Sequence, residues 1–384
     1  KTINSTEFAL LGAALVAISY GLARFAFGLF VPPIRAELAL TPETIGIIGA
    51  LPLLSFVLAT LVAPFITERL GARTTIMLSG GFAVCGLLLI SLARGAWSLG
   101  LAVIACGICT GLMMPALTAA MQQLVNRAVH GRVSAVMNAG TSFGVMLAAP
   151  AIVLLTSAWR MAYLCFALLA AVAVIITWWR IPAISRPQVK AGSQSAKLSK
   201  LPWWPLIRLS LFALAMGFVS SAYWIFAPDL VVSLGTLPAG ETGWLWLAVG
   251  LAGLSGAAVA DLADRIHSGV THALMFTLLA VSLALLVAGS GQLLASIVSA
   301  LIFGLAYMSL TGLYLMTAVR LLPGRLSMGP VLPFMACALG QAAGSPVIGS
   351  LVTSAGYKTA FISYTVLALL VTGLSSFYPQ DTKG

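Results

Sequence analysis

The sequence predicts an all-α membrane protein whose twelve transmembrane helices form two pseudo-symmetric six-helix bundles. Three observations predict this fold. Hydrophobic residues make up 60% of the 384 positions and charged residues only 8%, whereas a soluble domain is about 25% charged. The apolar residues form long continuous runs, and similar features recur in the same order in each half of the chain. This composition excludes a soluble enzyme, a disordered chain and a disulfide scaffold.

Each predicted helix is a run of roughly 20 apolar residues, the length that crosses the hydrocarbon core of a bilayer. The runs are continuous rather than alternating, which excludes the strands of a membrane β-barrel. In chain order, the spans are predicted at 8–31, 43–65, 73–93, 97–120, 133–157, 160–181, 205–228, 240–262, 270–288, 291–318, 328–352 and 357–378.

The longest polar stretch, residues 182–204, separates the spans into two sets of six. It is rich in Ser, Pro and Lys, a composition typical of a flexible linker. We therefore expect an N-terminal bundle at 1–181, a cytoplasmic linker at 182–204 and a C-terminal bundle at 205–384.

The basic residues predict the orientation of the chain. With the N-terminus in the cytoplasm, fifteen of the 20 Lys and Arg residues fall on the cytoplasmic side and four on the outer side. Cytoplasmic loops of membrane proteins carry this excess, so we expect both termini in the cytoplasm. The net charge of +11 then reflects topology and not nucleic-acid binding. We expect a multi-pass monomer in the lipid bilayer of a bacterial inner membrane.

Two loops at matching places in the two halves carry a recognisable motif. The loop after the second span reads PFITERLGAR at 64–73, and the loop after the eighth reads ADLADRIHSG at 260–269. Both resemble the motif G-x-L-A-D-R-x-G-R-K of the major facilitator superfamily. The first copy departs from it at Pro64 and Glu68, and Val103 stands where the fourth helix of that family carries an arginine. The first span is also similar to that of a bacterial subgroup of this family whose first helix reads Y-G-x-x-R-F-A, the pattern found here at residues 20–26.

This resemblance implies two bundles that rock about a central substrate site, and charge clamps at the cytoplasmic helix ends. An acidic residue and an arginine bridge neighbouring helices, and the bridge breaks when the halves move. The expected gate, closed on the cytoplasmic side in the outward-open state, comprises Glu68, Arg69, Arg73, Asp264 and Arg265.

Arg24 is the one basic residue placed well inside a span. A charged side chain at that depth costs roughly 2.5–3.5 kcal/mol, so it usually faces a cavity and serves function. We interpret it as the group that binds an anionic substrate, bidentate if the group is a carboxylate. The alternative is a structural arginine that caps carbonyl groups near Pro32 and Pro33 or extends to the membrane surface.

Aromatic and polar side chains on other spans complete the expected cavity wall. Positions 307, 311 and 314 share one helix face by their spacing, and the family resemblance places the first, fourth, seventh and tenth helices around the cavity. Aromatic faces and hydroxyls around one arginine suit a small, partly apolar anion. Beside Arg24, the predicted substrate-binding residues are Tyr20, Phe27, Asn138, Tyr223, Trp224, Tyr307, Thr311, Tyr314 and Gln341.

The nine acidic residues and three histidines are all placed in loops or at helix ends, including Asp229 and His272. A cationic substrate would then find no counter-charge, and no carboxylate proton relay is available in the membrane. A coupling proton would need Asp229, Glu241, Glu37 or the substrate itself, and uniport or exchange for a counter-anion is equally open. The same scarcity predicts no catalytic residue, metal site or cofactor.

The sequence thus favours a secondary active or facilitative transporter of a small organic anion, working by alternating access. One alternative is an exporter of neutral or amphipathic compounds in which Arg24 is structural. The other is a membrane enzyme or a sensing receptor, which no nucleophile–base pair, metal cluster or signalling domain supports.

Overall fold

The computed structural model describes residues 3–182, 202–235, 237–255, 266–322 and 331–379. All regular structure in these ranges is helical. We number the helices α1 to α12, with α11 and α12 as the two limbs of Val331–Gly373 on either side of Gly356. The others are Ser5–Leu38, Pro42–Leu70, Ala72–Ser91, Ala96–Leu124, His130–Leu154, Trp159–Arg180, Trp203–Ser233, Thr242–Gly253, Ser268–Ala288 and Leu293–Leu321.

Ten of the described helices are long and apolar enough to cross a membrane. Val331–Gly373 is counted once among them although it contains two limbs, and Thr242–Gly253 lies within the predicted eighth span, 240–262. The architecture therefore agrees with the predicted twelve-helix fold. Several helices extend beyond the apolar runs that predicted them. The first span was predicted to end at residue 31, but α1 continues through Pro32 and Pro33 to Leu38.

Local signals start and stop these helices. Asn4 caps α1 by accepting a hydrogen bond from the backbone N–H of Glu7 at 2.7 Å, and Thr41 caps α2, whose first residue is a proline. Both are preferred helix-start residues. Gly356 separates α11 from α12 with φ of 79°, a left-handed conformation that favours glycine because other side chains are strained there.

The first six helices pack on one another and so do the last six. The main contacts between these groups are those of α2 with α11, α5 with α8 and α1 with α7. The same glycine contact occurs in both groups. Gly140 meets the backbone of Ala13 where α5 crosses α1, and Gly340 meets that of Leu214 where α11 crosses α7. A side chain at either glycine would overlap the facing helix, so glycine permits the close approach.

We call the end of the molecule where α1 stops and α2 starts the outer end, following the orientation predicted from the sequence. The two groups of helices meet tightly there. A Cβ atom on Gly28 of α1 would overlap the carbonyl oxygen of Trp224 on α7, and one on Gly46 of α2 would overlap that of Ser345 on α11. The backbone N–H of Glu43 also donates to Thr353 Oγ1 at 3.2 Å. The structure is therefore closed at its outer end.

Candidate functional site

Arg24 lies in a stretch of α1 that is a π-helix and not an α-helix. The π-helix spans Ala17–Phe25, and the N–H of Ala26 donates to the carbonyl of Gly21, five residues back. Such stretches are rare and occur frequently at functional sites. The wider turn changes which residues share a helix face, so the neighbours of Arg24 differ from those that α-helical spacing predicts.

The guanidinium of Arg24 lies between the two groups of helices. Its Nη2 donates to Oε1 of Gln341 on α11 at 2.9 Å, and its Cζ lies 5.1 Å and 4.9 Å from the ring centres of Phe25 and Phe56. Within the described ranges it has no carboxylate partner. Its Nε is buried and has no hydrogen-bond acceptor. Arg24 therefore points into protein and not toward lipid, and its buried Nε–H is left unpaired.

Gln341 connects Arg24 to the wall formed by α7 and α10. Its Nε2 donates to Ser220 Oγ at 3.3 Å and to Tyr307 Oη at 3.2 Å. The amide therefore uses its oxygen for Arg24 and its nitrogen for these two hydroxyls. Three predicted site residues, on α1, α10 and α11, meet in one hydrogen-bonded network.

Aromatic rings form the rest of this wall. The ring centre of Trp224 lies 4.2 Å from that of Phe25 and 5.2 Å from that of Tyr307. Trp246 on α8 donates its Nε1–H to the carbonyl of Phe25 at 3.0 Å. The Nε1–H of Trp224, by contrast, is buried without an acceptor. Two buried, unpaired N–H donors, Arg24 Nε and Trp224 Nε1, thus belong to residues that line one cavity.

A cavity of about 40 Å³ lies beside these groups. That volume holds only a few water molecules, because the outer end is closed around it. Its lining comes from α1, α2, α7 and α11, and comprises Arg24, Phe25, Phe27, Gly28, Gly49, Pro52, Leu53, Ser221, Trp224, Ile225, Gln341 and Ser345.

Three other predicted residues lie elsewhere. The hydroxyl of Tyr20 donates to the carbonyl of Thr110 at 3.1 Å, which joins α1 to α4. Thr311 is half-buried, and its hydroxyl donates to the carbonyl of Tyr307 within α10. Asn138 is exposed on α5 and does not line the cavity.

Two predicted tyrosines use their hydroxyls inside the second group of helices. Tyr223 is fully buried, bonds Ser299 Oγ at 3.2 Å and stacks on Phe303. Tyr314 bonds His272 Nε2 at 3.0 Å and donates to the carbonyl of Phe212. Neither side chain lines the cavity beside Arg24.

His272 was expected in a loop or at a helix edge, and it is the fifth residue of α9. The residue is fully buried on α9. Its Nδ1 bonds Ser375 Oγ at 2.7 Å, and its ring stacks on Tyr378 with centres 4.7 Å apart. α9 starts at Ser268, two residues before the predicted span, and the contacts with Ser375 and Tyr378 bury the histidine although it lies near the helix start.

Asp229 was also expected at a helix end, but it is 3% exposed within α7. Its Oδ2 accepts hydrogen bonds from Arg35 Nη1 on α1 and from the hydroxyl of Tyr357 after the α11–α12 bend. Arg35 also donates to Tyr357. We call these three residues the outer latch, since they join the two groups of helices at the outer end. Their pairing runs between distant parts of the chain, and no local signal predicts it.

The predicted cytoplasmic gate is only partly within the described residues. Glu68 and Arg69 are exposed at the end of α2, and neither makes an ion pair in the ranges that the structure describes. Arg73 donates to the carbonyl of Trp178 on α6 at 2.5 Å and lies over its ring. Asp264 and Arg265 fall outside the described residues.

Comparisons with known proteins agree with this architecture. A family model, Major Facilitator Superfamily, matches residues 13–328. The uncharacterized transporter YycB of Bacillus subtilis (strain 168) is 28% identical over 294 residues, 74% of this chain and 71% of the relative. The nucleoside transporter NupG superposes with a TM-score of 0.79 at 13% identity, covering 98% of this chain and 99% of that one. A D-xylose-proton symporter gives 0.78 at 14% identity, covering 98% of each.

Proposed function

This chain belongs to the Major Facilitator Superfamily, and from that premise we propose that it transports a small organic anion of the carboxylate type by alternating access. One observation supports the anion above all. Arg24 Nε and Trp224 Nε1 are buried N–H donors without acceptors, and both residues line one cavity. A buried donor without an acceptor costs about 1–3 kcal/mol. An anionic ligand supplies acceptors and the missing negative charge together.

The residues of the network contribute to ligand binding in different ways. Arg24 supplies the positive charge, and hydrogen bonds to a charged group contribute about 1.5–3 kcal/mol each. Gln341 and Tyr307 fix the guanidinium from the opposite wall, since Gln341 already bonds both. Phe27 and Trp224 supply apolar surface for the body of the ligand.

Transport then requires the two groups of helices to separate alternately at each end. A cavity of about 40 Å³ admits no organic anion until the walls move apart. The outer latch closes one end, and Glu68, Arg69, Arg73, Asp264 and Arg265 close the other when the outer end opens. We place the protein in a bacterial inner membrane as a monomer, with both termini in the cytoplasm and a proton or counter-anion as a coupling partner.

Counterflow in proteoliposomes tests this function. Vesicles preloaded with unlabelled benzoate are expected to accumulate labelled benzoate, because exchange needs no knowledge of the coupling ion. External benzamide and benzylamine, the neutral and cationic analogues, should not compete. Competition by benzamide and benzylamine at the concentrations at which unlabelled benzoate competes would contradict an anion site.

The rival function is export of neutral or amphipathic compounds, with Arg24 as a structural residue. The contacts of Arg24 with Phe25, Phe56 and Gln341 favour it, because they stabilise the guanidinium without any ligand. Benzamide accumulating in the same vesicles, with benzoate inert, would establish the rival.

A further inference from the structure

We propose that the substrate is a planar aromatic monocarboxylate. This inference rests on the proposed function of Arg24, and it adds the number of charges and the shape of the ligand. Three features of the cavity wall carry it: its charge, its unpaired donors and its width.

The wall carries one charge. Arg24 is the single ionisable group among the lining residues that the structure describes. A second carboxylate on the ligand would be buried without a cation, and an ammonium group would be buried without an anion, each at a cost of several kcal/mol. The wall therefore fits a monoanion better than a dicarboxylate or an amino acid zwitterion.

The available donors fit a carboxylate better than a polyhydroxyl compound. Arg24 Nε and Trp224 Nε1 are unpaired, which gives one N–H for each oxygen of a carboxylate. The hydroxyls of the wall are already committed as donors: Ser221 donates to the carbonyl of Phe218 at 2.7 Å, and Ser345 to that of Gln341 at 2.6 Å. Few donors remain for the hydroxyls of a sugar or nucleoside.

The cavity is narrow and its walls are aromatic. Gly28 faces the backbone of Trp224, and a Cβ on Gly49 would lie 2.5 Å from Ile225 Cδ1, so α1 and α2 approach α7 closely. Phe25 and Trp224 both line the cavity and lie at 31° to each other, and Tyr307, which is outside the lining, meets Trp224 edge-on at 80°. Aromatic rings pack on such surfaces in stacked or edge-to-face geometry. A flat ring needs less separation of the walls than a saturated ring does.

Binding of a small panel to the purified full-length chain tests the inference. Thermal shift and calorimetry would compare benzoate with cyclohexanecarboxylate, terephthalate, 4-(aminomethyl)benzoate and benzamide. We expect benzoate to bind at least tenfold more tightly than each of the others. These compounds change one property at a time: flatness, a second negative charge, an added positive charge, and loss of charge.

Two variants locate the bound carboxylate. Trp224→Phe keeps an aromatic ring but removes the N–H, and should weaken benzoate binding about tenfold. Trp97→Phe is the matched control, because Trp97 is 91% exposed, and it should bind benzoate as the wild type does. Unchanged affinity in Trp224→Phe would overturn the donor assignment.

The outcomes separate this inference from the proposed function. Equal affinity for benzoate and cyclohexanecarboxylate, or tighter binding of terephthalate, overturns the planar monoanion and leaves an anion transporter. Equal affinity for benzoate and benzamide overturns both. If benzoate does not bind, the inference of a planar aromatic monocarboxylate is overturned. The proposed function would still stand if another carboxylate showed counterflow.

Discussion

Replacing Arg24 with glutamine is expected to weaken carboxylate binding by at least about 100-fold, which corresponds to roughly 2.7 kcal/mol. Glutamine keeps a hydrogen-bonding group but removes the charge, so the carboxylate loses its counter-ion in a partly buried site. Arg24→Lys should lose less affinity, because it keeps the charge and loses only the planar fork of donors. Calorimetric titration of benzoate into each variant measures both effects.

The matched control for this experiment is Arg94→Gln. Arg94 is exposed between α3 and α4, so its loss changes the net charge equally without touching the cavity. Wild-type affinity in Arg94→Gln, with the loss confined to Arg24, supports a local effect. Equal losses in both variants would show that only the overall charge of the protein matters.

Removing Arg35 from the outer latch is expected to open the outer end. In Arg35→Gln, the carboxylate of Asp229 stays buried without its cation, and breaking a buried pair in this way costs about 3–5 kcal/mol. Asp229→Asn should destabilise the closed conformation less than Arg35→Gln does. It leaves Arg35 without its partner, and the Arg35 side chain is 23% exposed to its surroundings, whereas that of Asp229 is only 4% exposed. This cost falls on the closed conformation, and it exceeds the usual free-energy difference between two conformations of a protein. The outer-open population should therefore dominate in Arg35→Gln.

Spin-label distances measure this opening. Labels at Arg94→Cys and Gln292→Cys, on outer-end loops of the two groups of helices, report their separation once the exposed Cys85 and Cys165 are replaced by serine. The distance should lengthen in Arg35→Gln. Arg160→Gln is the control, since the Arg160–Glu37 ion pair of 2.9 Å lies within the first six helices. An unchanged distance in Arg35→Gln would remove the outer latch from the account.

The sequence predicted the fold well because one physical rule dominates it. A membrane span needs a long apolar run, and these runs can be counted directly. The same rule located Arg24, since a charge within such a run stands out. It misplaced Asp229, because the apolar run ends at 228 and the helix continues to Ser233. It did not reveal that His272 is buried, because the contacts with Ser375 and Tyr378 come from a distant part of the chain.

The site was harder to predict because its contacts join distant parts of the chain. The spacing of Tyr307 and Tyr314 puts them on one helix face, but it does not show that the hydroxyl of Tyr314 forms a hydrogen bond with His272. Phe27 lines the cavity, whereas Tyr20 contacts Thr110. The π-helix around Arg24 and the bond from Trp246 to Phe25 have no sequence signal that we recognise.

The most direct test of the central claim is an experimental structure with 4-bromobenzoate bound. We expect the bromine, located by its anomalous signal, to lie among the rings of the cavity. The carboxylate oxygens should then lie about 2.7–3.2 Å from Arg24 Nε and Trp224 Nε1, the range of normal hydrogen bonds. A carboxylate bound away from Arg24, or a guanidinium whose Nε pairs with a main-chain oxygen while the ligand lies elsewhere, would contradict the claim.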